Sequence, residues 1–160
     1  MGAGKSTIGR KLSQKLNLGF LDLDKVIEEK SNQTIDEIFS QNGESEFRKY
    51  ETKCLKEVVL EMAHVISLGG GTLLSEENRR LVKESGRLIY LKASVEELVK
   101  RARPKAHLRP LLKGKSESEI REFIIHLFKS RETIYDSAEI IILTDNISSD
   151  EVVGKVISKL

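Results

Sequence analysis

Apolar residues recur along the chain in two periods. Four short segments are dense in β-branched or aliphatic residues: 19–23 (GFLDL), 64–68 (HVISL), 87–92 (RLIYLK) and 139–143 (EIIIL). Each lies between stretches of helical period, at 5–16, 24–30, 43–62, 76–84 and 116–131. Near-continuous apolar runs alternating with helices predict an α/β fold with a parallel sheet covered on both faces. Thr34 with Glu37, Ser94 with Glu97 and Ser148 with Glu151 have the spacing of capping boxes. After the last of them, Val152, Val153, Val156, Ile157 and Leu160 trace the apolar face of a final helix. No repeat, low-complexity tract or linker interrupts the pattern, so residues 1–160 read as one domain.

Composition narrows the setting. A chain of 160 residues can bury a core without disulfides, and its single cysteine, Cys54, has no internal partner. No apolar run reaches the roughly 18 residues of a membrane span, and no secretory pattern is present, so the expected setting is the cytoplasm. With 27 basic and 25 acidic side chains the net charge is only +2, which argues against general nucleic-acid binding. Absence of Trp leaves few platforms for stacking bases. One stretch departs from this balance: 101–115 (RARPKAHLRPLLKGK) holds both prolines and no acid. It reads either as a solvated loop or as a mobile basic lid over a polyanion.

Candidate chemistry begins at the first residues. MGAGKST matches the end of the phosphate-binding pattern G-x-x-x-x-G-K-[ST]. Glycines let backbone N–H groups turn inward, Lys5 would reach the β- and γ-phosphates, and Ser6 would place its hydroxyl on Mg²⁺. The helix that follows points its positive end at the phosphates. The first glycine of the pattern falls two positions before Met1, as does the strand that normally feeds such a loop. The expected sheet therefore lacks a central strand, and activity of this stretch alone is in question.

Further along, Asp22 and Asp24 close a predicted strand, where ligands of open α/β sheets bind. Alternation puts both on one side if the strand continues, and Asp24 could equally be a helix cap. Arg48 and Glu51, three apart on a predicted helix, are either a surface ion pair or an arginine fork steadied for a substrate carboxylate. Gly69, Gly70 and Gly71 follow the strand 64–68, as close approach of backbone to a ligand would require. Arg109 in RPLL, and Arg131 with Tyr135, add positive charge suited to phosphoryl transfer. His64, His107 and His126 lack metal-ligand spacing, with or without Cys54.

The ordered set GAGKST, DLD, FRKYE, LGGG, RPLL and Arg131 with Tyr135 resembles shikimate kinase, a small P-loop kinase of the nucleoside-monophosphate-kinase type. The resemblance implies a three-layer P-loop fold whose family sheet has five strands, four of them in this chain. It implies ATP and Mg²⁺ as cofactors and phosphorylation of shikimate at its 3-hydroxyl, by a monomer. It also implies residue roles. Gly2, Ala3, Gly4, Lys5, Ser6 and Thr7 would bind the ATP phosphates, with Ser6 and Asp22 near the metal. Asp24 would contact the substrate hydroxyls and act as base. Arg48 and Arg131 would hold the carboxylate, and Gly69, Gly70 and Gly71 would line the ring site. Arg109 would swing in with the lid onto the transferring group, and Arg101 or Arg103 would pack on adenine. A related kinase such as gluconate kinase, or a non-catalytic relic that binds nucleotide or shikimate, is the alternative.

Overall fold

The computed structural model describes residues 2–61, 64–108 and 112–160. The chain divides into two compact units, Ser6–Leu88, and Met1–Lys5 with Ile89–Leu160.

In the first unit, α1 (Lys5–Leu16) buries Ile8 and Leu12 and ends at Asn17, whose φ of 55° is left-handed. Strand β1 (Gly19–Asp22) runs parallel to β2 (His64–Ser67), with Gly19 opposite His64 and Asp22 opposite Ser67. A Cβ on Gly19 would lie 2.2 Å from Cδ2 of His64, so the imidazole occupies the space a side chain would take. The strand stops one residue sooner than its apolar run predicts. Leu23 opens α2 (Leu23–Ser31) instead, because Leu23, Val26 and Ile27 share the helical spacing that buries all three. Alternation along a strand therefore does not relate Asp22 to Asp24.

Helix α3 (Ile35–Val58) starts at Thr34, which completes a capping box with Glu37. The apolar pattern places this helix only from residue 43. Its first half, IDEIFSQN, is mostly polar, and the fully buried Ile38 is its main anchor in the core. At Gly43 the backbone leaves helical geometry (φ 77°, ψ 172°) before helix resumes. Leu23, Val26, Ile27, Ile38, Phe47, Cys54, Leu55 and Val58 form one core cluster. Burial pushes the Cys54 thiol up, which fits a packing residue rather than a thiolate. After β2, a 3-10 turn (Thr72–Leu74) leads into α4 (Glu76–Ser85), capped by Ser75.

The second unit carries β3 (Ile89–Lys92), parallel to β4 (Ile140–Leu143). The predicted strand at 87–92 shortens because its ladder begins only where Ile89 meets Ile140. Ser94 caps α5 (Val95–Ala102), and the Asp145 carboxylate accepts the Ser94 N–H. Pro104 follows within a 3-10 turn (Arg103–Leu108), as a residue without an N–H donor demands. Helices α6 (Glu117–Lys129), α7 (Glu132–Tyr135) and α8 (Ser149–Ile157) complete the unit, with capping boxes at Ser116 and Ser148. Ala93, Leu98, Val99, Ala102, Leu112, Ile120 and Ile124 form its second cluster, with Ala3 packed against it. Leu112, inside the basic stretch, is thus a core residue.

Among the described residues all pairing is parallel, as predicted, in the ladders β1–β2 and β3–β4. The four strands of the described residues pair two by two. Among the described residues no helix is long and apolar enough to cross a membrane.

Candidate functional site

Gly2 and Gly4 have φ of 77° and 81°, values that L side chains rarely adopt. Two such residues around Ala3 make the concave backbone that turns N–H groups toward an anion. Helix α1 starts at Lys5 with no acidic residue in its first turn, so no side chain of that turn offsets its positive end. Lys5 is half-buried, and Ser6 and Thr7 are exposed.

The Ser6 hydroxyl donates to Oδ2 of Asp22 at 2.6 Å. Asp22 stands at the N-cap position of α2, yet its side chain makes no cap bond. It is turned to Ser6 instead. A hydroxyl beside a carboxylate is a hard-oxygen pair suited to Mg²⁺. Among the described residues no group of three or more His, Cys, Asp or Glu could hold a metal.

Asp24 lies in the first turn of α2 and is half-buried. A Cβ on Gly69 would sit 2.8 Å from Asp24 Oδ1, 3.1 Å from Thr72 Oγ1 and 3.2 Å from Glu51 Oε1. Three oxygens from α2, α3 and the turn after β2 therefore converge on one glycine. Gly71 serves Arg48 in the same way: a Cβ there would lie 2.4 Å from Nη2 and 2.7 Å from Nη1. At these two positions the glycine run leaves room for the protein's own polar side chains.

Arg48 is anchored from two sides. Nη1 donates to Glu51 Oε2 at 2.8 Å, and Nη2 to Glu44 Oε1 at 2.9 Å. Glu51 is only 1% exposed, which removes the surface-pair reading. Its other oxygen accepts the Thr72 hydroxyl at 2.6 Å, and Asn78 Nδ2 donates to the Thr72 carbonyl at 2.9 Å. A buried carboxylate needs such partners, and this one has them on both oxygens. Burial of Arg48 opposes its charge, but the bonds to Glu51 and Glu44 outweigh that and hold the guanidinium above its ordinary value. The Phe47 ring lies 5.2 Å from its Cζ.

In the second unit, Arg101 and Arg103 differ sharply. Arg101 donates through Nε to Glu97 at 2.8 Å, through Nη1 to the Thr144 hydroxyl at 3.1 Å and through Nη2 to the Thr144 carbonyl at 2.6 Å. Arg103 is 69% exposed and meets only the exposed Glu117 among the pairs described. Arg131 is half-buried at the N-cap of α7. Tyr135 stacks on Tyr90 at 5.2 Å, and the Tyr90 hydroxyl is pushed up to about 12, by burial foremost and then by Asp136. Arg109, Pro110 and Leu111 lie outside the described residues.

Thr72, Glu44 and Thr144 are among the residues of these networks to which the sequence reading assigns nothing. Thr72 could have been found as the hydroxyl that follows the glycine run, and Glu44 as the acid four before Arg48. Thr144 gives no sequence signal, since it meets Arg101 across 43 residues.

A family model described as Shikimate kinase matches residues 1–160. A shikimate kinase of Dictyoglomus turgidum is 42% identical over 164 residues, covering all of this chain and 92% of its own. The crystal structure of shikimate kinase from Bacteroides thetaiotaomicron superposes with a TM-score of 0.92 at 34% identity, over 99% of this chain and 92% of that one. Shikimate kinase from Acinetobacter baumannii, solved in complex with shikimate, gives 0.89 at 36% identity, over 99% of this chain and 87% of that one. The glycine-bounded loop before α1, the Ser6–Asp22 pair and the Arg48–Glu51–Thr72 network thus lie in a chain that matches these proteins almost end to end, and it belongs to the shikimate kinase family.

Proposed function

We propose that this protein transfers the γ-phosphoryl group of ATP to the 3-hydroxyl of shikimate, giving ADP and shikimate 3-phosphate for aromatic amino-acid biosynthesis. It does so as a cytoplasmic monomer of one P-loop domain, residues 1–160, with a lid at 101–115. The observation that carries the reading is the convergence on the glycine turn. A carboxylate, Asp24, is directed at Gly69, and a guanidinium, Arg48, lies on Gly71. A hydroxylated carboxylic acid needs this combination: a base for one hydroxyl, a cationic fork for the acid group and backbone between them.

Asp24 takes the proton of the 3-hydroxyl as the oxygen–phosphorus bond forms and ADP leaves with the bridging oxygen. Arg48 and Arg131 grip the carboxylate, Arg48 being held ready by Glu51. The amides around Gly2, Ala3 and Gly4, with Lys5, Ser6 and Thr7, hold the phosphates. Mg²⁺, when bound, draws charge from the transferring phosphoryl group, and Ser6 and Asp22 are the residues that would hold it. Arg101 is the adenine platform in preference to Arg103, because three hydrogen bonds fix its plane. Arg109 neutralises the transferring group from the lid.

A coupled ADP-release assay with shikimate, gluconate and no acceptor tests the reading. Turnover that depends on shikimate is the expected outcome. ADP release with gluconate alone, or with neither, overturns it.

A further inference from the structure

The two carboxylates on Arg48 are not equivalent. Glu51 is buried and is held from behind by Thr72. Glu44 has a side chain 65% exposed and reaches Nη2 from solvent. It follows Gly43, where the chain turns through φ 77° and restarts the helix. A Cβ on Gly43 would meet nothing within 4 Å, so packing does not require glycine there; the left-handed backbone does. The restart leaves Glu44 in the opening turn of a helical stretch, where a carboxylate is favoured even without the arginine. Release from Arg48 therefore costs Glu44 little.

A further acid on Arg48 must contend with the carboxylates already there. A guanidinium offers five N–H donors along two edges that can grip a carboxylate at two points, one through both Nη atoms and one through Nε and Nη2. Both edges include Nη2. Glu51 holds Nη1, the backbone at Gly71 closes one face, and Glu44 occupies Nη2. A third carboxylate gripped at two points must share Nη2 with Glu44, and while Glu44 stays it meets a like charge beside it.

We propose that Glu44 is an internal stand-in for the substrate carboxylate: it occupies Arg48 Nη2 while the site is empty and yields it when the acid binds. Glu44 is then a positioning residue that keeps Arg48 extended over Gly71 and lowers the affinity for shikimate by competing with it. This rests on the assignment of the shikimate carboxylate to Arg48.

Calorimetry with shikimate and with its methyl ester tests it on the parent chain, Glu44→Gln, Glu44→Ala and Arg48→Ala. An exposed pair of this spacing is weak, so removing the competitor tightens shikimate binding by about 2- to 5-fold. The KM for shikimate falls with it, while the Kd of the ester stays where it was in the parent. If Glu44 only braced Arg48, both variants would bind shikimate more weakly, and that result overturns the proposal. So does an unchanged Kd, or an equal gain for the ester. Arg48→Ala that binds shikimate as well as the parent would instead remove the carboxylate assignment itself, and with it the role of Glu44.

Discussion

Helix α3 carries two ion pairs of the same spacing on two of its faces. On one, Lys49 and Glu46 meet at 3.0 Å with side chains 72% and 40% exposed. On the other, Arg48 and Glu51 meet at 2.8 Å with side chains 28% and 1% exposed. Sequence spacing and bond length scarcely separate them. Their surroundings do: water screens the first pair, and the second is roofed by Thr72 and floored by Gly71. Where water is excluded, removing one partner leaves the other charge or acceptor without compensation. The inner pair is therefore a structural commitment, and the outer pair is close to neutral.

The largest expected break in that contrast is Glu51→Ala. It strands the Thr72 hydroxyl and one arm of Arg48, and should lower stability by about 3–5 kcal/mol in urea unfolding. A midpoint that stays in place would mean that water reaches Arg48 freely. Next comes Arg48→Ala, which should reduce kcat/KM for shikimate by about 2–4 kcal/mol. The KM for ATP is expected to hold, and an equal loss for both substrates would move Arg48 out of the acid site. Gly71→Ala asks the guanidinium to shift while Glu51 keeps hold of it. A rise in the KM for shikimate of about tenfold, or about 1.4 kcal/mol, is expected with the fold intact. Unchanged kinetics would show that the fork tolerates displacement.

Smaller effects belong to exposed carboxylates. Glu37, Glu119 and Glu151 are held below the ordinary 4.5 by their cap residues, Glu37 and Glu151 chiefly through the backbone N–H and Glu119 chiefly through the Ser116 hydroxyl. A depressed carboxylate contributes stability that is complete above its unfolded value and lost as pH falls through the folded one. Changing all three to Gln should flatten the loss of stability below pH 4.5, where their protonation sets in. An acid limb as steep as the parent's would assign that loss to other groups. Lys49→Ala should leave both the unfolding midpoint and the kinetics unchanged, and a clear shift in either would erase the contrast between the two faces.

The sequence exposed those parts of the site that are local in the chain. The glycines before Lys5, the pair Arg48 and Glu51, and the run Gly69 to Gly71 are short-range patterns, and the structure gives them positive φ, a bonded ion pair and a close approach of side chains. Helix starts at Thr34 and Ser148 were legible because a capping box is a four-residue signal, whereas at Ser94 only the serine half forms and its N–H goes to Asp145 instead of Glu97. Two kinds of feature were hidden. The first half of α3 is mostly polar, so only tertiary burial of Ile38 reveals it. The orientation of Asp24 and the bond from Arg101 to Thr144 depend on which strand ends where, information that no local pattern holds. Leu23 shows the cost of reading a period too far: a hydrophobic residue extends an apparent strand while actually opening a helix.

The imidazole seated against Gly19 has a bearing on alignment. A four-residue ladder has few bonds with which to choose its offset, and a slip by one would drive Phe20 or Leu18 into the His64 ring. The notch and the ring act as a key at the leading end of β1 and β2. At the trailing end the same offset sets Asp22 beside Ser67, two residues before the glycine run. Steric exclusion at one end of the ladder thereby fixes where the carboxylate of Asp22 emerges at the other.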